Sequence, residues 1–100
     1  MALFVPVAGR VLEAVFFVRG SRRARRILEV LARSGRLPTV PLLDLAVGRV
    51  GRDDHLLLKQ MAAMGLIRRY KGENDGHWVV WNELTPLGRR VLEIVESMEG

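Results

Sequence analysis

The sequence predicts a mainly α domain with one small β-hairpin, an α+β arrangement, on three observations. Apolar residues recur at helical spacing through most of the chain. Directly after Gly65 the period becomes extended, and Asp75-Gly76 stands between two β-prone runs. From Leu58 to Leu92 the residues read as helix, glycine stop, hairpin and capped helix without a break.

The elements follow in order. Val7, Val11, Ala14, Val15 and Val18 predict a short helix, with Arg10, Glu13 and Phe17 on another face and more apolar surface than one side can hide. Gly20 and Ser21 break and re-cap the chain, and Ala24, Ile27, Leu28 and Leu31 give a second helix, basic outside, ending at Ser34-Gly35. Thr39 to Leu45 is a short helix with Thr39 as N-cap and Pro41 in its first turn, and Gly48 and Gly51 bracket the turn that follows. Asp53 and Asp54 supply oxygens and negative charge at the start of the next helix, which runs to about Met64. Two helices so joined make a helix-turn-helix.

Leu66 to Lys71 is then a strand, Gly72 to Gly76 a loop, and His77 to Leu84 the return strand. Trp78 and Trp81, three apart, must face opposite ways, one into the core and the other toward the N-terminal segment, a partner subunit or nucleic acid. Thr85-Pro86 caps a final helix in which Leu87, Val91, Ile94 and Met98 form a narrow apolar seam. The similar hexapeptides RVLEAV, RILEVL and RVLEIV fit no solenoid spacing and reflect three amphipathic helices of one vocabulary.

One hundred residues make a single domain, too short for a separate catalytic lobe. Sixteen Lys plus Arg against eleven Asp plus Glu give a net charge of +5, and all but two of the cations are Arg. That balance favours a polyanionic partner, and Arg grips phosphate in a fork that Lys lacks. A GC-rich genome or a hot habitat also raises Arg, but neither explains where the charges lie. No cysteine is present, which removes disulfides and thiolate chemistry and suits a reducing compartment, so a cytoplasmic location is expected. Ala2 to Val18 is apolar but contains Pro6, Gly9, Arg10 and Glu13, against a membrane span, and its basic run follows the apolar one, the reverse of a signal peptide. His55 and His77 are the only histidines. With no ligand cluster, no nucleophile with its base and no phosphate-cradling glycine loop, neither metal, cofactor nor catalysis is expected.

The order helix, helix, turn, helix, hairpin, helix, with GLIRR at Gly65 and LTPLGRRVL at Leu84, resembles the winged helix-turn-helix proteins. It is similar to MarR and PadR-type transcriptional regulators and small archaeal winged-helix proteins, over roughly Arg22 to Glu96. The resemblance implies a recognition helix from Asp53 to Met64, with Asp53, His55, Leu56, Lys59 and Gln60 toward the major groove and Leu58, Met61 and Met64 toward the core. Lys59 would contact a phosphate, Gln60 an adenine edge and His55 a base or a phosphate, with Arg52 beside them at the helix start. Arg68, Arg69 and Lys71 would be the wing's contacts, since its tip, Glu73-Asn74-Asp75, is acidic. Asp53 and Asp54 depart from the Ser, Thr or Arg commoner in relatives, and they oppose phosphate unless one turns inward as a cap. Arg22, Arg23, Arg25 and Arg26 are either a solvated face partly neutralised by Glu29 or a reach toward flanking phosphate.

The expected function is therefore that of a DNA-binding transcriptional regulator acting as a homodimer on double-stranded DNA. The division expected is an N-terminal apolar helix over 1–20, for dimerisation or packing, and a winged helix over 21–100. Val11, Val15, Val18, Val91, Ile94 and Met98 are the expected dimer surface. The alternative is a protein-interaction module in a transcription, replication or chromatin assembly, using Leu56 and the N-terminal helix. The residues leave a small-molecule effector open.

Overall fold

Glycine and hydroxyl residues mark the places where the sequence changes period, and the computed structural model, which describes residues 7–99, breaks its elements there. Helix α1 (Val7–Arg19) precedes α2 (Arg22–Ser34), whose N-cap Ser21 accepts the Ala24 N–H at 3.1 Å. Gly35, at φ 78°, turns the chain out of α2 into β1 (Leu37–Pro38) and α3 (Thr39–Ala46). Helix α4 (Arg52–Ala63), the strands β2 (Ile67–Asn74) and β3 (His77–Leu84), and α5 (Pro86–Glu99) complete the order. The fold is mainly α with one antiparallel sheet, in the order β1-β3-β2. No helix among the described residues is long and apolar enough to cross a membrane.

Three local expectations need correction. Strand β2 runs on through Gly72, Glu73 and Asn74, so that Asn74 faces His77 and the loop shrinks to Asp75-Gly76. Both turn residues have positive φ, 52° and 82°, the pair that a two-residue hairpin needs to match strand twist. Strand β1 was not anticipated; Leu37 and Pro38 pair with Asn82 and Trp81. Thr39 is not a cap, because Pro38 occupies that position and Thr39 is the first helical residue, its hydroxyl turned toward the sheet.

Helix α2 lies at the centre, with Ile27, Leu28 and Leu31 buried in one cluster with Leu42 and Leu43 of α3, Leu58 and Met61 of α4, and Val91 and Val95 of α5. Each such side chain contributes about 1.5–3 kcal/mol through burial. Helix α1 joins this core through Ala14, Val15 and Val18, packing along α5 and α2. Val15, Val18 and Val91, expected at a dimer surface, are thus internal at 3%, 0% and 0% exposure. Residues 1–6 of the expected N-terminal segment lie outside the described residues. Trp81 is buried apart from the main cluster, on the far face of the hairpin beneath Arg36, whose guanidinium sits 4.1 Å from the ring centroid.

The junction of α4, hairpin and α5 accounts for the GLI and LT-x-x-G patterns physically. Gly65 adopts φ 83° and donates to Ala62 O, while the Leu66 N–H reaches back to Met61 O, both at 3.0 Å, closing α4 with a Schellman turn. The Thr85 hydroxyl donates to Gly65 O at 2.6 Å and accepts the Gly88 N–H at 2.9 Å, so one side chain caps α5 and ties it to the end of α4. A Cβ at Gly88 would stand 2.1 Å from the Leu66 carbonyl oxygen, a backbone atom with little room to move. Gly88→Ala is therefore expected to lower unfolding free energy by about 3 kcal/mol, measured by urea denaturation.

Candidate nucleic-acid interface

The helix-turn-helix comprises α3, a turn in which Gly48 takes φ 83°, and α4. What orients α4 is Asp54, its third residue. The Asp54 carboxylate, fully buried, accepts the Gly51 N–H at 3.0 Å, while the Asp54 N–H returns a bond to Gly51 O at 3.2 Å. Gly51 therefore caps the helix without a side chain. The same carboxylate accepts Arg23 Nη1 of α2 at 2.6 Å and Arg49 Nε of the turn at 3.2 Å. Burial pushes its pKa up, but the bonds from Arg23, the Gly51 amide and Arg49 outweigh that and hold it below the usual carboxylate range. One of the two acids at the helix start is thus internal and neutralised. Asp53 remains exposed.

With Asp54, Leu57, Leu58 and Met61 buried, α4 turns Arg52, Asp53, Leu56, Lys59, Gln60 and Ala63 outward. Met64, expected in the core, is the half-buried C-cap. Among the described residues, Arg52 and Lys59 pair with no carboxylate. His55 departs from this face: half-buried, it borders a groove of about 430 Å³ together with Val40 and Pro41 of α3 and Arg69, Trp78 and Val80 of the hairpin.

The three wing cations are not equivalent. Strand alternation places Arg69 and Lys71 on the face toward α3, and Arg68 on the opposite one. Arg68 pairs with Glu83 at 2.7 Å and lies over Tyr70, 4.8 Å from the ring centroid. Arg69 is drawn inward, donating to Asn82 Oδ1 at 2.8 Å and to Thr39 Oγ1 at 3.1 Å. Thr39 also accepts from Asn82 Nδ2 at 3.1 Å and donates to Val80 O at 3.3 Å, which fills its hydroxyl's capacity. Burial pushes the Arg69 pKa down, and no acid is among its partners in the described residues. Lys71 alone of the three is exposed with no carboxylate partner among the described residues. In the basic run of α2, Arg23 pairs with Asp54, Arg25 with Glu29 and Glu99, and Arg26 with Glu29, so three of its four cations hold the fold together.

Arg23, Arg49, Asn82 and Thr39, which position this surface, carry little sign of that role in the sequence. Their partners are distant in the chain, and only the Gly51-to-Asp54 spacing gave a local sign, that of a capping box.

A helix-turn-helix followed at once by a basic hairpin that returns into a packed helix defines a winged helix-turn-helix protein. More particularly, the fold is the one seen in MarR-family transcriptional regulators. It matches a MepR-like protein complexed with pseudoligands over 86% of this chain and 60% of that one, with a TM-score of 0.69 and 21% identity. It also matches a MarR-family transcriptional regulator from Silicibacter pomeroyi over 90% of this chain and 62% of that one, with a TM-score of 0.63 and 27% identity. The chain spans about three-fifths of the length of each. No family model and no curated protein matches it.

Because its folded-state pKa is lowered, Asp54 contributes stability that is complete above the unfolded carboxyl pKa of about 3.9 and lost as pH falls through the folded value. Asp54→Asn is expected to be clearly less stable than wild type at pH 7, with the difference shrinking below about pH 4, as followed by thermal unfolding across a pH series.

Proposed function

We propose that this chain is a DNA-binding winged-helix protein, a cytoplasmic transcriptional regulator that lays α4 in the major groove of duplex DNA as a homodimer. The observation that carries the reading is the outer face of α4, where Arg52 and Lys59 pair with no carboxylate among the described residues while the charge of Asp54 is neutralised inside. The net charge of +5 and the likeness to transcriptional regulators support it. Gln60 on α4 and Lys71 on the wing complete the contact surface, and Arg69 and Arg68 serve by holding the hairpin in place. His55 lines the edge of the contact. Gel shifts over a salt series test this: Arg52→Ala and Lys59→Ala should each weaken binding and reduce the log–log salt slope by about one. Absence of a shift on any duplex at low salt would refute it and favour the protein-docking alternative, to which the exposed Val40, Leu56 and Trp78 lend support.

The homodimer is proposed on the outer side of α1 and α5, residues 21–100 being the winged helix and the N-terminal segment its extension. Leu12, Phe16 and Met98 are exposed there, with Val11 and Ile94 half-buried beside them, around an apolar groove of about 420 Å³. A second copy covering this groove would remove that surface from water and set two α4 helices on one duplex. Wild type should sediment as a dimer and Phe16→Asp as a monomer, whose duplex affinity falls by about a hundredfold as the second half-site contact is lost.

A further inference from the structure

The outward face of α4 is polar at its edges and apolar at its centre. At 100° per residue, Arg52 and Lys59 fall on one flank, Asp53 and Gln60 on the other, and Leu56 lies between them with Ala63 two turns beyond. Leu56 is 53% exposed and lies outside the core cluster, so replacing it by Ala leaves the core intact. Its neighbours limit what can cover it. Arg52 and Lys59 are two cations without carboxylate partners among the described residues, against one exposed acid, Asp53, on the other flank, so an anionic surface with an apolar spot complements the Arg52 and Lys59 side of Leu56. The major groove of DNA has that character only at thymine, whose 5-methyl group projects between two rows of phosphates.

Resting on the DNA-binding reading above, we infer that Leu56 is a specificity-determining residue that recognises thymine through its 5-methyl group. Gln60, one turn further along the same face, presents an amide able to pair with N6 and N7 of a neighbouring adenine. The preferred site is accordingly rich in A·T pairs where the centre of α4 enters the groove. The methyl contact is independent of the phosphate contacts: it adds discrimination and leaves the salt dependence unchanged.

The test compares a short alternating dA-dT duplex with the same duplex made with deoxyuridine, which lacks only the methyl groups, by fluorescence anisotropy at fixed low salt. Wild type should bind the thymine duplex about fourfold more tightly for each methyl buried. Leu56→Ala should bring the ratio near one while keeping affinity for the uracil duplex within about twofold. Leu56 is exposed on a helix that Ala favours, so the variant keeps the fold. Equal wild-type affinity for the two duplexes overturns the assignment and leaves DNA binding intact. A preference that survives in Leu56→Ala also overturns it, since duplex shape or another residue would then be read. Binding to neither duplex overturns this inference, which places A·T pairs in the preferred site, whereas the DNA reading falls only if no duplex of any sequence is bound at low salt.

Discussion

The buried carboxylate of Asp54 is the constraint around which the rest of the domain is arranged. An ionised acid without water is tolerable only where donors surround it, and here they come from α2, the interhelical turn and the first backbone amide before α4. Packing of Leu57, Leu58 and Met61 turns one face of α4 inward, and the carboxylate with its three separate donors adds a polar constraint at the helix start, because each displacement there leaves a buried charge short of a bond. The positive end of the α4 dipole adds to the same balance. The arrangement settles which residues of α4 face outward before any partner is met.

A second polar cluster does the same for the hairpin. Thr39, Arg69 and Asn82 join the start of α3 to both long strands, and Asn82 also holds Leu37 O, which draws β1 onto the sheet. Tyr70, Trp81 and Arg36 cover the opposite face with a stacked and hydrogen-bonded layer. The hairpin is thus fixed on both sides near its base and bare toward its tip, where Trp78 stands 76% exposed.

Helix boundaries were legible because their causes are local: the Ser21 and Thr85 hydroxyls and the positive φ of Gly35 and Gly65 act within a few residues. The helical and extended periods gave the fold class and element order for the same reason. What escaped depends on residues far apart in the chain. Strand β1 is two residues containing a proline, with no period to detect, and it exists because Asn82 reaches it. Arg69 and Arg68 look alike in sequence, yet one is internal and the other paired on the far face, a difference set by what packs against each side of the sheet. In sequence Val15, Val18 and Val91 look like surplus apolar surface, because composition does not show that α1 and α5 already pack together. The inward turn of Asp54 was half legible, from its spacing to Gly51, but its arginine partners were not.

The two-residue turn at Asp75-Gly76 has a consequence for how such a hairpin can change over evolutionary time. With paired residues from Ile67↔Leu84 to Asn74↔His77 and no slack at the tip, the hairpin is a ruler of fixed reach, roughly 25 Å at the usual rise per strand residue. A single inserted residue near the base of either strand would exchange that strand's two faces beyond that point, moving Trp78, for an insertion in β3, onto the face that Val79 now occupies, or would unpair the ladder. Unless a bulge absorbs the extra residue, the ruler keeps its faces and its tight turn only when both strands change together in even steps.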